Sequence, residues 1–167
     1  MTTPPPRIRL FTNAVLLAWI LAPVLAQAEF IGKVVGVIDG DSIRVMHEGK
    51  AEQIRLIGID CPEKRQAFGT RAKEYTSELA FGQDVTVYGD RRDRYGRRLA
   101  EILLPDGRSL NQELIKAGLA WWFRKYSKDL RLGELERLAR VAKRGLWAQP
   151  SPVAPWEWRR STNRTVP

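Results

Sequence analysis

Residues 30–60 read FIGKVVGVIDGDSIRVMHEGKAEQIRLIGID, and this stretch decides the architecture. Phe30 to Ile38 is rich in Val and Ile, as strands are. Asp39-Gly40-Asp41 breaks it with turn residues. Ser42 to Met46 alternates apolar and polar positions, the period of a half-buried strand. Glu48-Gly49-Lys50 reads as a hairpin turn, and Gln53 to Ile59 as a third strand. Three strands in succession make a β-meander.

Outward from the meander the pattern changes period. Pro62 closes the third strand and biases Cys61 toward extended backbone. Gly69 to Phe81 has helical spacing, with Ala72, Tyr75, Leu79 and Ala80 on one side and Gly82 as its stop. Val85 to Tyr88 and Leu99 to Leu104 read as a fourth and a fifth strand, joined by the polar loop Asp90 to Arg98. Ser109 caps a helix from Asn111 to Ala117, closed by Gly118. Leu130 to Arg144 is the strongest helix, with an apolar stripe of Leu132, Leu135, Leu138, Ala139 and Ala142, ended by Gly145. Three strands, a helix, two strands and two helices predict an α+β fold: a five-stranded OB-type Greek-key β-barrel with about three α-helices.

The chain has 167 residues, enough for one domain with a real core. Its formal net charge is +9, which favours an anionic partner, either nucleic acid or an anionic membrane surface, although charge alone also serves solubility. Arg7 and Arg9 precede an apolar run from Ala14 to Leu25, followed by Ala26-Gln27-Ala28. That is the form of a secretory signal peptide cleaved after Ala28, and the run is shorter than a bilayer span. The expectation is therefore a signal peptide over 1–28, a barrel domain over 29–148 and a Pro/Trp/Arg-rich tail over 149–167. The protein would be exported to the periplasm or the medium, with no stable membrane span after cleavage, and monomeric. Two readings of the tail stand side by side: aromatic and basic residues that stack on bases and contact phosphates, or a strap whose tryptophans dock on the barrel.

Cys61 is the only cysteine and His47 the only histidine. No internal disulfide can form, and Cys61 reads as structural. Two-histidine acid–base ribonucleases, His-rich zinc sites and HExxH metalloproteases all need more histidines than the chain has. Carboxylates, arginines and a metal remain to carry any catalysis.

The acidic clusters Asp39-Gly40-Asp41 and Asp60-Cys61-Pro62-Glu63 stand at strand ends that a meander can bring together. Asp41 and Asp60, with a backbone carbonyl and waters, would make a hard oxygen site suited to Ca²⁺ or Mg²⁺. For Asp41 alone, a plain turn residue is the simpler reading. Glu63 is placed to take a proton from water near such an ion. Arg55 lies inside an apolar strand and needs a partner or a cleft. Strict alternation would put Arg55 and Asp60 on opposite faces, so the chain must bend, at Gly58 or at the strand end, for both to enter one site. Arg97, in Tyr95-Gly96-Arg97, offers a second guanidinium for a phosphodiester. Asp93, Arg94 and Arg98 read equally well as a solvated charge run.

Taken together, Val37-Ile38-Asp39-Gly40-Asp41-Ser42, Arg55 through Glu63, Asp93-Arg94-Tyr95-Gly96-Arg97-Arg98-Leu99-Ala100, and Asn111 through Ala120 resemble the staphylococcal (micrococcal) nuclease, or thermonuclease, family over roughly residues 30–148. The resemblance implies an OB-type barrel and Ca²⁺-dependent cleavage of DNA and RNA, with single-stranded or frayed regions favoured. Asp41 and Asp60 would bind Ca²⁺, and Cys61 would offer its backbone carbonyl where the best-known family member has threonine. Glu63 would orient or deprotonate the attacking water, and Arg55 and Arg97 would bind the reacting phosphate. The 5′ P–O bond would break, leaving 3′-phosphate ends. Tyr95 matches a family tyrosine near the nucleotide, and Tyr126 is a candidate for a second contact or an ordinary aromatic. Two alternatives remain: a non-catalytic nucleic-acid-binding module on the same barrel, and a cell-envelope protein held at an anionic surface.

Overall fold

A computed structural model describes residues 30–163; residues 1–29, with the expected signal peptide over 1–28, and the last four residues lie outside it. Five strands close a barrel in the order β1-β2-β3-β6-β5, formed by β1 (Phe30–Asp39), β2 (Ser42–His47), β3 (Lys50–Leu56), β5 (Asp84–Tyr88) and β6 (Arg98–Leu103). β1 serves two neighbours. Phe30 to Lys33 pair with β5, and Val34 to Asp39 pair with β2, with register shifts that bend the strand around the barrel. The parallel ladder Ile54–Arg98, Arg55–Leu99 and Leu56–Ala100 closes the cylinder between β3 and β6. Glu48 and Gly49 both take positive φ in the two-residue hairpin between β2 and β3, the geometry that matches strand twist.

Inward residues of every strand fill the barrel: Val34, Ile43, Val45, Ile54, Leu56, Val85, Val87, Ala100 and Ile102 are all buried. Among the described residues, four α-helices surround it: α1 (Gly69–Ala80), α2 (Leu110–Lys116), α3 (Leu130–Val141) and α4 (Pro155–Asn163). The Ser109 side chain caps α2 by accepting from the Gln112 amide. No helix among the described residues is long and apolar enough to cross a membrane.

The expected third strand, Gln53 to Ile59, is two elements. β3 stops at Leu56, the chain turns at Ile57-Gly58, and Ile59–Asp60 form β4, paired with β7 (Trp121–Trp122). Gly58 takes φ +80, which L-residues rarely adopt. α3 ends at Val141, three residues before the expected limit. Its stripe is also narrower: Leu132 and Ala139 are buried, whereas Leu138 is exposed. The inward place goes instead to Glu136, buried between Arg124 and Arg140. Residues 149–167 carry α4, which packs on the barrel domain. Trp156 stacks parallel to Phe123 at 5.3 Å and meets Trp121 edge-on at 5.6 Å.

Candidate active site

The bend at Ile57-Gly58 builds the site. Asn111, itself buried, donates to the Ile57 carbonyl at 2.9 Å and accepts from the Ile102 amide at 3.2 Å. The Ile57 amide donates to Ala100 and the Phe123 amide to the Gly58 carbonyl. So held, the turn breaks the strand alternation and brings Arg55 and Asp60 to one side: Arg55 Nη2 meets Asp60 Oδ1 at 2.8 Å.

Asp41 arrives from the β1–β2 turn. The Leu56 amide donates to the Asp41 carbonyl at 2.8 Å, and Thr76 of α1 donates to the Gly40 carbonyl at 2.6 Å. A side chain at Gly40 would strike Cys61 and Ala72, so the turn sits tightly against them. Asp41 Oδ2 accepts from Arg55 Nη1 and from the Cys61 amide, both at 2.5 Å. One guanidinium thus bridges two carboxylates that are 5% and 1% exposed, which makes this a buried charge cluster rather than a solvated pair. Burial pushes the Asp41 carboxyl up to about 7 despite the opposing charge of Arg55, with Asp39 and Asp60 adding to the rise. Burial, with Asp41 next, also holds the Cys61 thiol well above its ordinary value, which fits a structural cysteine. His47 lies elsewhere, stacked on Phe30 and paired with Glu52.

Glu63 stands on the rim. Its amide donates to Gln66 Oε1 at 3.1 Å, and Gln66 Nε2 donates to the Val153 carbonyl at 2.6 Å, so one side chain clamps both the Glu63 loop and the C-terminal segment. Gly69 approaches the Glu63 carbonyl too closely for any side chain.

Arg97 is not in contact with the cluster. Its guanidinium is paired with Asp93 at 2.7 Å, within the loop that ends at β6. It precedes Leu99, the partner of Arg55, by two residues, about 7 Å along the strand. Tyr95 is exposed in the same loop, with the Arg94 and Arg97 guanidiniums over its ring. Tyr126 is exposed, packs edge-on against Phe123 and lines a 290 Å³ cleft with Gly58, Asn111 and Leu132, apart from the acidic cluster.

Arg159 was not foreseen. From α4 it reaches Asp60 Oδ2 at 2.7 Å and Glu63 Oε1 at 2.6 Å. The signal was present in Pro155-Trp156-Glu157-Trp158-Arg159: proline at a first helical position, and Trp156 and Arg159 three apart on one face. Its partners, almost 100 residues earlier, leave no local trace.

The donors present suit a hard divalent ion. Asp41 and Asp60 converge on one guanidinium, and all their donor atoms are oxygen, the donor type a hard cation takes. Among the described residues, no group of three or more His, Cys, Asp or Glu could hold an ion, so carbonyl oxygen, water and substrate would complete the shell.

Residues 53–149 match the family described as staphylococcal nuclease homologue. An uncharacterized endonuclease of Escherichia coli is 47% identical over 137 residues, covering 82% of this chain and 89% of the relative. A micrococcal nuclease of Shigella flexneri is 38% identical over 157 residues, covering 88% and 90%. An uncharacterized endonuclease of Haemophilus influenzae is 32% identical over 153 residues, covering 91% and 85%. With the barrel, the bent third strand and these matches in agreement, the chain belongs to the staphylococcal nuclease family.

Proposed function

We propose that the protein is an exported, Ca²⁺-dependent nuclease that hydrolyses phosphodiester bonds of DNA and RNA and leaves 3′-phosphate ends. The observation that carries this reading is the convergence of two buried carboxylates, Asp41 and Asp60, on Arg55, with Glu63 on the same rim. Asp41, Asp60 and the Cys61 carbonyl would hold the ion. When bound, it supplies positive charge that stabilises the developing negative charge on the phosphoryl oxygens.

Arg55 is preorganised by its two carboxylates, so its guanidinium needs little rearrangement to meet a phosphate. Arg97 would leave Asp93 for the phosphodiester, a motion of one side chain from an exposed loop. Glu63 would orient the attacking water and take its proton. Tyr95, next to Arg97, would contact the nucleotide, and Tyr126 would do so only for a strand that extends past Gly58. Single-stranded or frayed DNA and RNA fit best, because their bases are free to reach those aromatics. The protein would act as a monomer, without a membrane span once the signal peptide is removed after Ala28.

The test is hydrolysis of labelled single-stranded DNA by residues 29–167, with Ca²⁺ and then with excess chelator. Cleavage that needs Ca²⁺ and yields 3′-phosphate ends is expected. Intact DNA with Ca²⁺, Mg²⁺ and Mn²⁺ would return the protein to the class of barrels that only bind. The mass of the protein recovered from the periplasm or medium tests cleavage after Ala28.

A further inference from the structure

α4 is held over the acidic site by contacts that do not involve Arg159. Ala154 is buried, Trp156 is stacked on Phe123 and set edge-on to Trp121, and the Val153 carbonyl accepts from Gln66. The helix therefore delivers Arg159 from a fixed platform. There its Nη2 donates to Asp60 Oδ2 at 2.7 Å, and its Nη1 to Glu63 Oε1 at 2.6 Å and to Asp60 Oδ1 at 3.3 Å. Arg55 takes Asp60 Oδ1 at 2.8 Å. Both oxygens of a carboxylate that is 1% exposed are thus already covered by guanidinium.

A divalent ion on Asp60 and a guanidinium on the same oxygens would set like charges a few ångströms apart in a poorly screened site, where repulsion is strong. Arg55 is enclosed, 13% exposed, between Asp41 and Asp60, both of which belong to the ion's own site, so it has little room to withdraw. Arg159 has Glu63, which lies further out on the rim and is 41% exposed in its side chain. Arg159 is therefore the cation that can yield, by sliding from Asp60 onto Glu63 alone.

We infer that Arg159 is a resident counter-cation of the acidic site, which a divalent ion must displace from Asp60, so that this arginine sets the affinity of the site for the ion. The inference rests on the reading of Asp41 and Asp60 as metal ligands. Before the ion arrives, Arg159 neutralises Asp60 from a helix that is docked without it. Once displaced, its guanidinium remains beside Glu63.

The experiment is calorimetric titration of CaCl₂ into the full chain and its variants, a readout of binding that does not depend on cleavage. Arg159→Gln removes the competitor. It is expected to tighten Ca²⁺ binding roughly 10- to 100-fold, the equivalent of one or two charge-assisted hydrogen bonds. Arg160→Gln removes the same charge from the exposed neighbouring position and is expected to change affinity less than about 3-fold, as a screened surface charge does. Trp156→Ala leaves every charge in place but removes the anchor of α4, and should also tighten binding. Equal or weaker binding by Arg159→Gln, or equal tightening by Arg160→Gln, overturns the inference and leaves the metal reading standing. Absence of binding by both the native chain and Arg159→Gln overturns the metal reading and the inference with it.

Discussion

Arg55 shows how one side chain can serve both stability and chemistry. It is 13% exposed and bridges Asp41 and Asp60, so removing it leaves Asp41 buried without its cation, while Arg159 remains on Asp60. Arg55→Ala is expected to cost about 3–5 kcal/mol of stability, the range for breaking a buried pair from one side. The loss should shrink when Ca²⁺ is added, because the ion can replace the missing charge; chemical denaturation with and without Ca²⁺ checks both. Glu63 is the contrasting case. Its carboxylate is on the rim, so Glu63→Gln should leave the melting temperature nearly unchanged while lowering kcat by about 10²–10⁴-fold. A variant that cleaves at the native rate would remove Glu63 from the chemistry.

Among the elements, the turn between β3 and β4 matters most to the site. Gly58 has φ +80, and a side chain there would meet Leu132 at 2.8 Å and Ser127 at 3.2 Å. Gly58→Ala should therefore cost at least about 1–2 kcal/mol from the backbone alone, with crowding added. It should also weaken Ca²⁺ binding, because Asp60 lies two residues beyond the bend. Stability and calorimetry on the same variant test the coupling: an intact affinity with reduced stability would mean that the bend supports the fold without aiming Asp60. α4 works as an element in the same sense, since Trp156 docks it and Arg159 uses the docking.

Across the whole molecule, the barrel closes at the β3–β6 ladder, and Glu52 guards that seam. It accepts from Arg98 of β6 at 3.1 Å, from Arg92 of the preceding loop, and pairs with His47 at 3.3 Å. Burial alone would raise its carboxyl, but hydrogen bonds from Arg98 and Arg92, with their charges, outweigh this and hold it below the ordinary 4.5. A depressed carboxyl contributes stability above its unfolded value and loses it as pH falls through the folded one. Glu52→Gln should thus cost about 1–3 kcal/mol at pH 7, and the gap from the native chain should close as pH drops below about 4.5. Denaturation at pH 7 and pH 3 reads this directly. The net charge of +9 has its own consequence. With chelator present, affinity for single-stranded DNA should fall steeply between 50 and 200 mM salt, each neutralised phosphate adding about 0.7 to the logarithmic slope.

Much of this was legible in the chain. Alternation in residues 30–60 and the Glu48-Gly49 turn specify a meander because strand period and turn chemistry are local properties. The order of five strands and the helices between them then leaves few ways to close a barrel, and the carboxylates and arginines of the site stand in short motifs of matched spacing. What the chain could not show by itself depends on contacts distant in sequence. The break at Ile57-Gly58 that turns Asp60 toward Arg55 is held by Asn111, Ala100 and Phe123. Leu138 faces water while Glu136 is buried, because Arg124 and Arg140 supply the partners that make an inward carboxylate tolerable. Tail composition allowed both nucleic-acid contact and docking. Only the tertiary structure, by bringing Phe123 and Trp121 against Trp156, set Arg159 on Asp60 and Glu63, since complementary charges far apart in sequence find each other through packing alone.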